Sequence, residues 1–511
     1  MRMTIRMAGL GRSALLAAGL LRLVGCDGAD PALPDGSTAD GSTGDAAGDA
    51  AVRGDPDPEA LTWEPPIVLT GGSPTDVYVI ENRNIRSDDA TVPAVLLDNY
   101  QGRVVMRHCN LFGYTTAGTA KAIVASTYGA RLDIEDCTFF SRNPVHAHWM
   151  PGRSIVAEGF RSLRLVHTSH YGTSGVYLAA WIGTAGQPEP TIEMTANYFK
   201  NVDGRFSDPS SPTGWKRGNT VDGPDPDFSY AQMLQLNACH DIPRVLVQDN
   251  EVLDEAGASR PEDLVSFYAS SGTGASPILV EHNLFSGQLV YDAWFDPATS
   301  SAYGNNMPDG TPGKQDARGY PSSGGGGLLG DGRGAPVTAN PPGRGYLDDP
   351  GFLQYSRNTV LGMSNYGLGA AAGHDLTIRG NTMLRSGYVR GIARDVIIPW
   401  KHVPVQIQDY STGGGAAVDD GTGTGTLRVR WYNIDVVDNQ FGYTSISPYD
   451  GGRSNDGLLL NSPVRASTGN IDLTADPATP FVTRSMEDDA ASAHRAAWAS
   501  DGVLVGSQQP R

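Results

Sequence analysis

One short phrase recurs along the chain and constrains its fold more than any other feature. Alternating apolar residues lead into a polar residue, usually Asn, and a large apolar residue follows. It runs as Val104-Val105-Met106…Asn110-Leu111-Phe112, then Leu132-Asp133-Ile134…Thr138-Phe139-Phe140. The next copies are Leu163-Arg164-Leu165…Ser169-His170-Tyr171 and Ile192-Glu193-Met194…Asn197-Tyr198-Phe199. Others centre on Asn250, Asn283, Asn381 and Asn439. From residue 110 to 138, 169 and 197 the steps are 28, 31 and 28 residues. Self-similarity in this range marks a solenoid. Alternation with period two makes the repeated pieces strands. No amphipathic helical run separates them, which excludes leucine-rich and βαβ repeats, and a four-stranded propeller blade needs about 40 residues. Three short strands and three bends fit a repeat of this length. The phrase therefore predicts an all-β chain, a single-stranded parallel β-helix solenoid with long loop insertions. Asn returning at one bend predicts an asparagine ladder, each side chain bonded to the backbone of the next coil.

Composition agrees with many turns and short strands. Gly (64) and Pro (34) are abundant, and charged residues make up only 18% of the 511. The formal charge of −18, with five Lys among 38 basic residues, excludes a nucleic-acid partner, since phosphate binding needs clustered cations.

The ends read differently from the middle. Arg2, Arg6 and Arg12 precede an apolar run from Ala14 to Leu21, too short for a stable membrane span. The run ends in Leu23-Val24-Gly25-Cys26, which resembles a bacterial lipobox, so residues 1–26 are expected to be a lipoprotein signal with Cys26 as the lipidated residue. An ordinary cleaved signal is the other reading, and Arg22 departs from the pattern. Residues 27–60 hold eight Asp and one Glu against Arg53, with no aromatic residue, which predicts a disordered acidic linker. These two stretches carry +4 and −8, leaving −14 for residues 61–511. Residues 61–470 are expected to form the β-helix, and 471–511 a C-terminal cap or tail. The implied location is extracytoplasmic, tethered to a bacterial membrane by lipid, with the body a monomer.

Cys109 and Cys137 hold equivalent places in successive copies of the phrase. If the copies stack, their Cα atoms lie about 4.8 Å apart, within disulfide range. A disulfide and a pair of stacked buried thiols both fit.

The phrase and its ladder resemble the right-handed parallel β-helix superfamily, which includes pectate lyases and polygalacturonases, over about residues 75–465. A further likeness, to uncharacterised bacterial secreted β-helix lipoproteins, rests on Gln235-Leu236-Asn237, Glu262-Asp263, the Ser322–Gly327 glycine run, Gly330-Asp331-Gly332, Asn365-Tyr366-Gly367 and Ala372-Gly373-His374-Asp375. The resemblance implies a polysaccharide ligand, and for the lyases a Ca²⁺ ion or an Arg/Lys clamp on a uronate. Lys216 and Arg217 are the candidate basic pair, with Asp222, Asp225 and Asp227 as candidate Ca²⁺ ligands, all in one Pro-rich insertion that also reads as a plain flexible loop. The polygalacturonase pattern matches less well: no Asn-Thr-Asp occurs, and Asp375 follows Gly373-His374 where that family has Gly.

The residues themselves suggest where a ligand would lie. In Met233-Leu234-Gln235-Leu236-Asn237 and Val265-Ser266-Phe267-Tyr268, inward apolar residues leave Gln235, Asn237, Ser266 and Tyr268 outward. Hydrogen-bonding side chains beside bare glycine backbone suit an extended sugar chain, with Asp331 and Asn365 as further contacts. His240-Asp241 and His374-Asp375 follow such strands at the same register and would line one edge of that face. A His there is a candidate acid or base near neutral pH, although a turn His also serves as a backbone-bonding bend residue. Glu262-Asp263 is a second candidate acid–base pair, or a solvated turn. Insertions at about 205–230, 286–325, 332–352 and 386–428 would wall a groove. Two functions follow: a polysaccharide lyase or glycoside hydrolase, or a non-catalytic glycan-binding, adhesin-like surface protein.

Overall fold

A computed structural model describes residues 55–508, apart from 117–121, 143, 184–189, 212–213, 217–227, 256, 288–324, 332–349, 389–402, 409–417, 420–428, 447–451 and 462–463. Cys26, Arg217, Asp222, Asp225 and Asp227 lie outside the described residues, as do half of the first predicted insertion and most of the other three.

The chain winds into a parallel β-helix. Its first coil runs through Ile67–Thr70, Val77–Glu81 and Asn84–Arg86, and each strand pairs in parallel with its counterpart one coil later. Repetition builds three long sheets: sheet one starts from Ile67–Thr70, sheet two from Val77–Glu81 and sheet three from Asn84–Arg86. Sheets one and two have eleven described strands each, and sheet three twelve.

The bend from sheet two to sheet three explains the repeated phrase. It holds one residue with positive φ and then one rung residue. His108, Asp136, His167, Asp249, His282 and Asp438 take φ of 50–57° there, a region in which Asn, Asp and His are enriched. Gly380 takes it at 63°. The rung side chain then reaches the next coil. Asn197 donates its backbone N–H (3.1 Å) and its Nδ2 (2.8 Å) to Asn250 Oδ1, and Asn250 does the same to Asn283 Oδ1 at 2.9 Å each. The ladder continues through Asn358, Asn381, Asn439 and Asn470.

The observed register differs from the sequence reading at both ends. Sheet three pairs Asn110 with Thr138, Thr138 with Ser169 and Ser169 with Tyr198. Asn110 is therefore one position past the rung, and its Nδ2 bonds Asn84 Oδ1 instead (2.8 Å). The rungs before Asn197 are Cys109, Cys137 and Thr168. At the other end, Asn470 is itself a rung, one coil beyond the last copy of the phrase at Asn439.

Inward rows form one continuous core. Leu132, Leu163, Ile192 and Val245 follow one another down sheet two, all at most 3% exposed. Each such burial is worth about 1.5–3 kcal/mol. Inside sheet three, His170 is stacked between Phe139 (4.6 Å) and Phe199 (4.0 Å).

Residues 55–63 and the segment from Thr483 onward cover the outside of sheet three. Residues 55–60, grouped by composition with the acidic linker, belong to the body: Asp55 pairs with Lys200 (2.8 Å), and Glu59 with Arg142 (2.8 Å) and Arg86 (3.1 Å). Trp63 packs on Phe112 and Phe140. An α-helix, Arg484–Asp501, starts on Thr483, whose Oγ1 accepts from the Met486 N–H, and stops at left-handed Gly502. Glu487, Ala491, His494 and Trp498 form its buried stripe, spaced four, three and four residues apart. The stripe lies on sheet-three strands Leu284–Ser286, Thr359–Leu361 and Thr382–Arg385, so the C-terminal helix packs along the side of the solenoid rather than across its end. The tail continues toward earlier coils, with Gly506 N–H on Ala196 O and Ser507 N–H on Ser169 Oγ.

Candidate functional site

Three outer faces are available to a ligand, and two are already used. Sheet three carries the chain's ends. Sheet two carries a ladder of ion pairs, in which Asp133 meets Arg103 and Arg164, and Arg164 also meets Glu135 (3.0 Å) and Glu193 (3.4 Å). Sheet one remains.

Its outward residues stack in rows. Tyr177, Gln235 and Ser266 are register partners in strands Gly175–Ala179, Gln232–Asn237 and Val265–Tyr268. The second row is Ala179, Asn237, Tyr268 and the backbone of Asp331. Leu234, Leu236, Val265 and Phe267 are fully buried on the opposite face, which confirms the predicted alternation. Tyr268 is 42% exposed, Ser266 only 4%. Asn237 Nδ2 donates to the Tyr177 hydroxyl at 3.0 Å, joining the rows. Burial raises the Tyr177 phenol above its ordinary pKa.

A wall of arginine–aromatic stacks stands at the start of these strands. Arg153 lies over the Tyr177 ring (5.3 Å) and donates to the Tyr230 carbonyl. Burial lowers its pKa to about 10. Arg205 stacks on Trp215 (4.3 Å) and forms a buried ion pair with Asp203 (2.8 Å), and Arg260 stacks on Phe228 (4.0 Å). Lys216 is half-buried in the same segment, its N–H bonded to Phe206 O at 2.7 Å. None of the arginines has a motif in the sequence. The alternation in Gly175–Ala179 is the signal that would have placed Tyr177 outward.

The other predicted residues do not converge. His240 lies in the turn after Gln232–Asn237, at the far edge of the face from the arginine wall. His374 does not share that edge. It belongs to sheet-two strand Gly373–Arg379, paired with Gly351 and Tyr432, because the two turns differ in length. It is 6% exposed, stacked on Tyr432 (4.9 Å), and holds Asp375 through Nδ1 (2.7 Å). Three coil steps separate the two histidines, about 14 Å at strand spacing. Asp263 is 2% exposed and accepts from Gly325 N–H (2.7 Å) and the Tyr366 hydroxyl (2.9 Å), a bond set that anchors a turn. Glu262 accepts from Gln232 Nε2 (2.7 Å). Asn365 is half-buried in the turn before Tyr366.

The glycines also have a packing reason. A Cβ on Gly330 would sit 1.8 Å from Ala372 O, one on Gly325 1.9 Å from Tyr366 O, and one on Gly369 2.8 Å from the Tyr366 ring. They let coils and the Tyr366 ring approach, so the bare backbone expected there is largely covered. Leu328, Tyr366 and Ala371 form a small apolar cluster over that end. The open part of the face is therefore the stretch from Tyr177 to Tyr268.

Among the described residues, no group of three or more His, Cys, Asp or Glu side chains is placed to hold a metal ion. No protein-family model matches the chain, and no curated protein does.

Proposed function

We propose that the chain is an extracytoplasmic β-helix protein of the pectate-lyase-like kind that holds polysaccharide along the outer face of sheet one. The carrying observation is a pair of neighbouring rows, half-buried Tyr177 and Gln235 beside half-buried Asn237 and exposed Tyr268, on the long face that ion pairs and packed segments leave open among the described residues. An aromatic ring with amide and hydroxyl groups at one strand spacing offers stacking and hydrogen bonds to successive sugar units. Arg153 beside Tyr177 favours a polymer bearing carboxylates. A lipid on Cys26 would tether the body to a bacterial membrane.

Binding is the role the geometry supports best, because His240 and His374 are not on one edge and Asp263 is bonded into a turn. Cleavage is the second reading, carried by His240 at the rim and by the Lys216 segment; Ca²⁺ would belong to the lyase version of it.

The test is affinity electrophoresis of the whole protein in gels cast with uronate-containing or neutral polysaccharide. Tyr268→Ala is expected to abolish the retardation seen with the wild type while leaving the melting temperature unchanged. Equal retardation of the two proteins would refute the sheet-one face as the binding surface. Release of unsaturated uronate ends, lost in His240→Ala, would establish the lyase.

A further inference from the structure

The ladder changes chemistry at its start. From Asn197 to Asn470 every rung is Asn, but the second and third coils carry Cys109 and Cys137. The Cys109 N–H points to Cys137 Sγ at 3.4 Å, the bond that Asn197 N–H makes to Asn250 Oδ1. Both thiols are fully buried. Their Cα atoms, each one residue before a register pair, are spaced as neighbouring strands, about 4.8 Å, inside the 4.4–6.8 Å range of disulfides. Cys239 lies at a different bend, its N–H bonded to Ser270 Oγ at 3.1 Å, with no cysteine above or below it among the described residues.

We propose that Cys109 and Cys137 are an oxidative modification site, closing a disulfide that staples the second coil to the third. The oxidant is a disulfide such as glutathione disulfide. The Cys109 thiolate attacks one of its sulfurs, forming a mixed disulfide and releasing one glutathione thiolate. Cys137 then loses its proton and displaces the second glutathione, leaving the Cys109–Cys137 bond. Two electrons pass from the cysteines to the oxidant, which leaves as two thiols. Geometry sets the order. The contact with Cys137 holds the Cys109 thiol below its usual pKa, while burial pushes Cys137 well above it. Complete burial sets the timing, because exchange requires the two coils to open, or proceeds before they close during folding.

The full chain carrying Cys26→Ser is refolded in a glutathione redox buffer, quenched in acid, unfolded, alkylated and digested for mass spectrometry. The expected result is one linked pair of peptides containing Cys109 and Cys137, with Cys239 alkylated, and full alkylation of all three after dithiol reduction. The folded, reduced protein placed in the same buffer should oxidise at least tenfold more slowly. Alkylation of both Cys109 and Cys137 after refolding, a lasting glutathione adduct on either, or a link to Cys239 would each overturn the proposal.

Discussion

His170 ties the stability of the middle coils to pH. Its ring is 1% exposed between Phe139 and Phe199, and its two nitrogens meet Ser154 Oγ (2.7 Å) and Thr168 Oγ1 (2.8 Å). Thr168 donates its hydroxyl proton to Asn197 Oδ1 (2.7 Å), so it accepts from His170 Nε2–H, while Ser154, which faces Nδ1, donates to Thr173 Oγ1 (2.9 Å). Burial in this apolar stack holds the His170 pKa well below the ordinary imidazole value. A group whose folded pKa is depressed in this way contributes full stability above the unfolded pKa of about 6.5 and loses it as pH falls, because the unfolded chain takes the proton first. Between pH 7 and pH 5 the loss is about 2 kcal/mol for this one ring. His170→Phe keeps the aromatic stack and removes the titration. At pH 7 it should be about 1–3 kcal/mol less stable than the wild type, from the hydroxyl bonds it gives up. By pH 5 that deficit should shrink by about 2 kcal/mol. Urea denaturation of both proteins at pH 5, 6 and 7, compared at equal m-values, reads the difference, and every other titrating group cancels. Parallel stability curves for the two proteins across that range would refute the neutral, fully desolvated ring.

Other expectations follow from single contacts. Asn283→Ala leaves the Asn250 N–H and Nδ2 without their acceptor inside the core and should destabilise by about 3–5 kcal/mol; denaturation of the variant checks it, and a loss under 1 kcal/mol would show the ladder to be incidental. Gly330→Ala drives a Cβ to 1.8 Å from Ala372 O and should yield little soluble protein, whereas Gly457→Ala meets nothing within 4 Å and should behave as wild type. Trp498 is 3% exposed and donates to Asp249 Oδ1 (3.1 Å), so Trp498→Ala should cost about 3–5 kcal/mol and make the C-terminal segment the first site of limited proteolysis. His494, on the same helix, has its pKa lowered to about 4 by burial. Docking of the helix should therefore weaken as pH drops below about 6.5, read as faster C-terminal proteolysis at pH 5 than at pH 7.

Much of the fold is legible in the sequence because its signals are local. Alternation decides which side chains of Gln232–Asn237 and Val265–Tyr268 face out, whatever surrounds them. The ladder is legible because a rung needs Asn and the residue before it must tolerate positive φ, which is why His282-Asn283 and Gly380-Asn381 read alike. The off-by-one placement of Asn110 shows the limit. Cys109 fills the rung without looking like one, and an Asn beside it draws the alignment. The candidate site was half legible. Tyr268, Gln235 and Asn237 come from alternation, but Arg153 and Tyr177 meet through coil stacking, and His374 moved to another sheet because turn length, not residue type, sets where a strand begins.

By itself the sequence determined the repeat, the three-strand coil, the inward rows and the ladder, since period, turn chemistry and side-chain direction are properties of adjacent residues. Only the tertiary structure decided which outer face stays open. That choice depends on where residues 55–60 and the helix Arg484–Asp501 come to rest. The helix Arg484–Asp501 lies against Leu284–Ser286 across some two hundred residues of sequence, and Asp55 reaches Lys200 across 145. Contacts at such separation leave no periodic mark in the residues that make them. They arise when a finished sheet offers an apolar outer face and the remaining chain covers it, leaving sheet one open among the described residues.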